Sequence, residues 1–499
     1  MFWLYANFMY FGLAKSLQEK YDCDLFAIID ITNKSKKFFQ EQQLVKFQKF
    51  WFYHDHISTT KKADLTYLAA FEKKYKINLW LLACNERLFY EFNEYYKFST
   101  DEILSILDQE CRLFESILDE VKPDFLIMYP PNFHYDYLFY HMCKTKGIKI
   151  LIMGASRFGY RCIISQETDK LDSVESSDGT ESKRTIEELQ NYLLGFDMTE
   201  EGLEFKSRFM NSKWNLLKAG FEFFLSNNSN VKTHYTYYGR TKLKVIIKRL
   251  GWLLRERVRE SFINRNLSRV IDEKTPFVYF PLTVEPESTL LIGAPFYTNQ
   301  LELIKHIVKS LPVGYKLYVK DHPIQSSRGW RSISYYKQIM NLPNVHLLHH
   351  SVSSKEIIKK CSLVITIAST SGLEAAFYRK PSIVLIDVLY SMLPSVYKLK
   401  SIEELPQAIR TSLEKVVDPS DLGKFVNIVD KNSFEFNLSG FDMDYTDYFF
   451  YSGFLVDVDI PISKMESFLE ESNNKSKFEK IAMEHIKKIK QYKESERDK

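Results

Sequence analysis

Apolar residues along this chain fall into short continuous runs, separated by stretches in which they recur every three to four positions. Residues 1–11 open with such a run. It lacks a basic leading segment and a small-residue cleavage site, and it is too short to cross a bilayer, so it reads as a buried strand entering a helix. Residues 24–30 and 78–83 are further compact runs of the kind that buried parallel strands show. From Thr100 a capped helix is expected, with Ile103, Ile106, Leu107, Leu113, Ile117 and Leu118 on one face. Residues 122–129 and 148–153 then read as strands on either side of another helix. Alternation of this sort predicts β-α-β units and a parallel sheet.

The pattern breaks at 166–182, where Asp, Glu, Ser, Thr and Gly leave almost nothing to bury and a flexible linker is expected. Residues 186–266 look helical. Between Lys232 and Arg265 ten Lys or Arg stand against two acids, Glu256 and Glu260. There Leu243, Ile247, Leu250, Leu254 and Val258 form one apolar stripe opposite a basic face. The favoured expectation is a helix packed on the domains by that stripe; the competing one is a contact with an anionic membrane surface. A second alternating block starts at Thr275, with strands expected at 277–281, 315–320, 345–348, 363–367 and 382–386. Past about Asp418 the rhythm weakens until a closing helix lined by Phe478, Ile481, His485, Ile486 and Ile489. The resulting division is 1–165, 166–274, 275–417 and 418–499.

Length and charge narrow the function more than they change this picture. A chain of 499 residues exceeds what one core usually serves. A net charge of +4 is too small to imply a nucleic-acid partner. No uninterrupted apolar stretch of about 20 residues suggests a transmembrane anchor. The six cysteines show no paired or metal-like spacing and read as buried thiols in a reducing, cytoplasmic setting.

Ligands of open α/β sheets sit beyond the carboxyl ends of the strands. In the second block those ends carry Glu285 and Glu287, then Lys320-Asp321-His322-Pro323, then Ser369-Thr370-Ser371-Gly372 with Glu374, and Asp387. The serine-rich turn offers hydroxyls and free N–H groups at a helix start, which suits a phosphate, although Ser371 and Glu374 also spell a plain capping box. Lys320 and His322 add groups able to neutralise or protonate a departing phosphate. Glu285 and Glu287 are candidates to orient an acceptor or to bind ribose. In the first block Asp136 is the chosen general base, with His134 and Asp124 as alternatives. Arg157 and Arg161 either bind an anionic acceptor or pair with the acidic linker. No metal site is expected: His54-Asp55-His56 and His349-His350 lack companion carboxylates at ligand spacing.

Phe280-Pro281-Leu282-x-x-Glu285-Pro286-Glu287, Leu317 through Pro323, and Ser369-x-Ser371-Gly372-Leu373-Glu374-Ala375 together resemble the capsule polysaccharide biosynthesis family, which includes the β-Kdo transferases of capsule assembly. The resemblance covers about residues 275–389, with a weaker echo from Lys122-Pro123-Asp124 to Gly147-Ile148. It implies a GT-B fold: two Rossmann-like parallel-sheet domains facing across a cleft, acceptor on the N-terminal one and donor nucleotide on the C-terminal one, here with a helical insertion and a C-terminal helix. In related transferases that use CMP-sugars, a Lys-x-His-Pro loop and a Ser/Thr pair hold the nucleotide phosphate, which matches Lys320, His322, Ser369 and Thr370. By the same resemblance Glu374 is a ribose contact. The implied activity is transfer of a sugar, with a CMP-linked acidic sugar as the favoured donor, to a glycan or lipid-linked acceptor, with no obligatory cofactor. A nucleotide-sugar 2-epimerase, a CDP-glycerol-type polyol phosphate transferase and a non-catalytic membrane-recruiting scaffold are the alternatives.

Overall fold

The computed structural model describes residues 1–5, 8–31, 33–90, 92–157, 159–172, 184–194, 213–225 and 234–497. Most of the linker and part of the helical region therefore lie outside the described residues.

Two sheets organise the chain. The first contains β1 (Phe2–Tyr5), β2 (Phe26–Asp30), β3 (Lys49–Phe52), β4 (Phe125–Met128), β5 (Lys149–Ala155), β6 (Arg161–Ser165) and, from far downstream, β13 (Phe434–Glu435). Its order is β13-β6-β5-β4-β1-β2-β3, and only the pairs β5–β6 and β6–β13 are antiparallel. The second sheet holds β7 (Phe277–Pro281), β8 (Lys316–Lys320), β9 (Val345–Leu348), β10 (Leu363–Thr366), β11 (Ser382–Val384) and β12 (Val396–Lys398). Its order is β12-β11-β10-β7-β8-β9, all parallel. Every residue of β7, β10 and β11 is buried, because helices cover both faces. The pair of parallel-dominated α/β units is the GT-B arrangement.

One predicted strand is a helix. Residues 78–83 form the start of the helix Leu79–Asn85, whose first turn is capped by the Asn78 side chain accepting the Leu81 N–H at 2.9 Å. A six-residue apolar run carries no decisive period, and the cap residue settles it.

Residues beyond 417 are shared between the two cores. Leu422, Phe425, Val426 and Val429 join the second, whereas Phe441, Phe468, Phe478, Ile481 and Ile486 pack with Phe8, Phe11 and Leu13 in the first. The closing helix Ser472–Arg497 lies so near the helix Met9–Lys20 that a Cβ on Gly12 would stand 2.2 Å from the Phe478 ring. Four cysteines are buried as expected, but Cys84 is exposed and Cys23 half-buried.

The basic helix spans Lys242–Asn266, and its stripe does not pack as favoured above. Leu243, Ile247, Leu250, Leu254 and Val258 face outward, with Leu243 68% exposed. What docks the helix is its other side. Glu256 accepts the Trp330 N–H at 2.7 Å, Arg259 donates to the Trp330 carbonyl at 2.6 Å, and Ile263 is buried. No helix among the described residues is long and apolar enough to cross a membrane.

Candidate functional site

In the second sheet the chain lays β8 and β9 to one side of β7 and β10 to the other, so the order reverses between β7 and β10. That switch point opens a crevice at the carboxyl ends of the two strands. Lys320, His322, Pro323, Ser369, Thr370, Ser371 and Glu374 line one cavity there, of about 130 Å³.

Lys320 ends β8 and is buried, its ammonium donating to the Val352 carbonyl at 2.9 Å and to Ser354 Oγ at 2.6 Å. Burial pulls its pKa down to about 8 against the opposing charges of Glu374 and Asp321, so it remains cationic at pH 7. The residue before a proline is held extended. His322 Nδ1 accepts the Ile324 N–H at 3.2 Å, which leaves the ring proton on Nε2. Burial, then the charge of Lys320, depresses His322 to about 4. In the free protein it is thus a neutral hydrogen-bond donor, and the charge expected from it comes from Lys320 alone.

The capping box read from Ser371 and Glu374 does not form. Thr370 holds the N-cap position without a side-chain cap bond and donates instead to Glu374 Oε1 at 3.0 Å. The helix Ser371–Phe377 is only two turns long, so hydroxyls rather than a long macrodipole face the cavity. Ser369 N–H is fixed by Thr366 Oγ1 at 3.0 Å, and Ser369 Oγ accepts the Ser371 N–H at 3.2 Å. Tyr390 OH donates to the Ser369 carbonyl. A Cβ on Gly372 would lie 2.7 Å from the Tyr390 oxygen and 3.1 Å from Thr366 Cγ2, so only glycine lets Tyr390 brace this turn.

Arg331 is the part that sequence reading missed. Fully buried, it pairs with Asp321, donates to the Thr283 carbonyl at 2.7 Å and lies 3.4 Å from Glu285. Tyr336 OH completes Asp321 at 2.7 Å. The loops after β7 and β8 are thereby tied together. Glu285 belongs to this brace: Gln300 donates to its carboxylate, and Gln325 bonds both its N–H and its carbonyl at 2.9 Å. It is occupied in positioning and does not face the cavity. Glu287 sits 3.6 Å from Arg328 with Arg87 of the first half nearby, and burial raises its carboxyl above the usual range.

In the first half the candidate carboxylates are out of reach. Asp136 is wholly buried, its oxygens taken by the Asn132 N–H at 2.9 Å, the Phe133 N–H at 2.8 Å and Tyr5 OH. Burial lifts it to about 7. It caps the helix His134–Thr145 and is spent there. His134 is clamped between Glu86 Oε2 at 2.8 Å and Glu110 Oε1 at 3.0 Å. Asp124 is exposed, but at the wrong end of the sheet, just before β4.

The two arginines separate. Arg161 donates to Ser433 Oγ at 2.8 Å and to the carbonyls of Asp430 and Ser433, joining β6 to the downstream chain. Arg157, left-handed at φ +71°, pairs with Asp169 at 2.6 Å and donates to the Ala368 carbonyl. It bridges the two halves at the root of the serine turn. Pairing with the acidic linker therefore holds for Arg157, through Asp169, and not for Arg161, which binds the downstream chain. Arg157 also lines a cleft of about 660 Å³ with Pro131, His141, Lys170, Ser288 and Asp387. Among the described residues no three His, Cys, Asp or Glu side chains are grouped to hold a metal.

Comparison with solved structures gives UDP-GlcNAc 2-epimerase of Methanocaldococcus jannaschii, in complex with UDP-GlcNAc and UDP, at 12% identity over 86% of this chain and 99% of that one, TM-score 0.26. Thermosulfurimonas dismutans KpsC, a β-Kdo 2,7 transferase, matches at 14% identity over 60% and 79%, TM-score 0.27. UDP-GlcNAc 2-epimerase of Neisseria meningitidis, bound to UDP-GlcNAc, matches at 10% over 87% and 99%, TM-score 0.23. At such values the likeness carries no chemistry, and the fold rests on the two sheets themselves. The curated proteins yield no match. Residues 217–396, which contain the basic helix and nearly all of the second sheet with its cavity, match the profile described as capsule polysaccharide biosynthesis protein. That match spans about a third of the chain, and over this segment the chain is similar to the capsule polysaccharide biosynthesis family.

Proposed function

We propose that the protein is a glycosyltransferase of capsule assembly that moves a sugar, from a CMP-linked acidic donor by preference, onto a glycan or lipid-linked acceptor. The observation that supports it is the convergence of Lys320, His322 and the hydroxyls of Ser369 to Ser371 on one cavity at the switch point. At about 130 Å³ this space suits a phosphate group and falls short of the roughly 300–1,000 Å³ that whole ligands occupy. The sugar and base then lie in the adjoining cleft of about 660 Å³, reached past Ala368. As the bond to the departing phosphate breaks, Lys320, the His322 Nε2–H and the serine hydroxyls meet the charge that develops on its oxygen.

A thermal-shift series with CMP, CDP, UDP and GDP tests this directly. A nucleotide at 100 times its Kd stabilises by about 2.7 kcal/mol. CMP is expected to raise Tm most, and Ser369→Ala to shrink the rise. No shift with any nucleotide, or an unchanged shift in Ser369→Ala, sinks the reading.

The exposed stripe supports a second part of the proposal, a peripheral contact with the cytoplasmic face of a membrane. The helix Lys213–Leu225 adds Trp214, 77% exposed, with Leu217, Phe221 and Leu225, and Lys242 donates to the Phe224 carbonyl, joining the two helices. Apolar side chains bordered by Lys244, Lys248, Arg249 and Arg255 fit anionic headgroups over a hydrocarbon layer. Sedimentation with phosphatidylglycerol vesicles is expected to carry the protein down, phosphatidylcholine vesicles to leave it in solution, and Leu250→Glu with Leu254→Glu to abolish the difference. Equal behaviour with both lipids would count against the contact.

A further inference from the structure

A separate cavity of about 350 Å³ lies in the first half, at the carboxyl ends of β2, β3 and β4, and its volume falls within the range of small-ligand sites. Asp30, the last residue of β2, supplies one wall. Its Oδ1 is 2.8 Å from His54 Nε2 and its Oδ2 accepts Tyr135 OH at 2.8 Å. That pairing puts the His54 proton on Nε2 and leaves Nδ1 as a lone pair. His54 is only 7% exposed, yet its Nδ1 has no hydrogen-bond partner. The same is true of two other polar atoms on residues of this cavity, Arg87 Nε and Thr236 Oγ1.

Each buried polar group left unpaired costs about 1–3 kcal/mol, and folded proteins keep few of them. Three on one cavity, comprising a cationic donor, an acceptor and a hydroxyl, describe the complement of a ligand that carries an acidic group and several hydroxyls. Phe133 steadies this wall: Tyr135 stacks on it at 5.2 Å, and the Arg87 guanidinium lies 4.6 Å from its centroid. The Arg87 wall also borders the seam between the halves, because Arg87 donates to the Asn132 carbonyl and Asn132 Oδ1 accepts Ser288 Oγ at 3.0 Å.

We propose that this cavity is the acceptor site and takes an acidic sugar, with Arg87 on the acid group and His54 Nδ1 accepting a ring hydroxyl. It rests on the transferase reading above, and it names what stands on the acceptor side now that Asp136 is excluded.

Saturation-transfer NMR on the full chain, with D-glucuronate and D-glucose as probes and the CMP-induced Tm shift read in parallel, tests it. Glucuronate is expected to bind at least tenfold more tightly than glucose. Arg87→Gln should bring glucuronate down to the glucose level, and His54→Phe should weaken both sugars alike. Both variants should keep the CMP shift, which also shows that they fold. If Arg87→Gln does not fold, Thr236→Val serves, with the expectation that both sugars bind more weakly. Glucuronate that fails to bind, or binds Arg87→Gln undiminished, overturns the acceptor site while an intact CMP shift leaves the transferase reading standing. Loss of the CMP shift in the wild-type chain points to the opposite failure.

Discussion

Lys320→Met is expected to lower the transfer rate by about 10²- to 10³-fold, the scale of losing one preorganised donor to a developing oxyanion. The reasoning starts from burial. Lys320 keeps its charge although its pKa is pulled down to about 8, and His322 beside it is neutral at pH 7, so Lys320 is the cation of this cavity. Methionine fills much the same volume without the charge. Nucleotide affinity should fall with the rate, because phosphate meets the same ammonium before and during transfer. In the wild type the affinity should also decline as pH rises through about 8, where the free protein loses this proton. Ser354→Ala, which removes one partner of the ammonium and leaves its charge, should cost far less. Steady-state rates and CMP titrations from pH 6.5 to 9 check all three, and a Lys320→Met enzyme of near-normal rate would remove the cavity from the mechanism.

His134→Leu is expected to destabilise the protein by about 3–5 kcal/mol, the usual cost of leaving buried charge uncompensated. Glu86 and Glu110 approach His134 from opposite sides in a space closed to water, and Tyr53 OH also bonds Glu110. Burial, the largest single influence, works against the charged ring, yet the two carboxylates prevail and raise His134 to about 10. An unfolded histidine titrates near 6.5. Since the folded value is the higher, the stabilisation is fully present below about 6.5 and is lost as pH rises through about 10. The stability gap between wild type and His134→Leu should therefore narrow across that window. Denaturant titrations at pH 6, 8 and 10 measure it, and a gap that widens with pH would contradict the pairing.

The second half was the more legible in the sequence because its candidate chemistry is contiguous with its strands. Lys320, His322 and Ser369 follow directly on short apolar runs, and finding the runs locates the residues. Arg331 could not be found that way: it reaches Asp321 and Glu285 through space from a loop with no periodicity. The Asp30–His54 pair depends on β2 and β3 lying side by side in register, Ile29 opposite Phe52, which no local pattern reveals. Asp136 misled for a related reason. A carboxylate just past a strand end is either a reactant or a helix cap, and only the three donors around it decide which. The stripe from Leu243 to Val258 showed its period plainly, but period alone does not say whether the partner is protein or something else.

The close approach of the closing helix to Gly12 bears on the order in which the chain is made. A ribosome delivers residues from the amino end, and domains generally fold as they emerge. Here the first sheet awaits β13 at its edge and the Phe478 face of the helix Ser472–Arg497, both made after the second core, which ends at Val429. The second half is thus completed while the first still exposes Phe8, Phe11 and Leu13, and the residues that follow Val429 are what seal it.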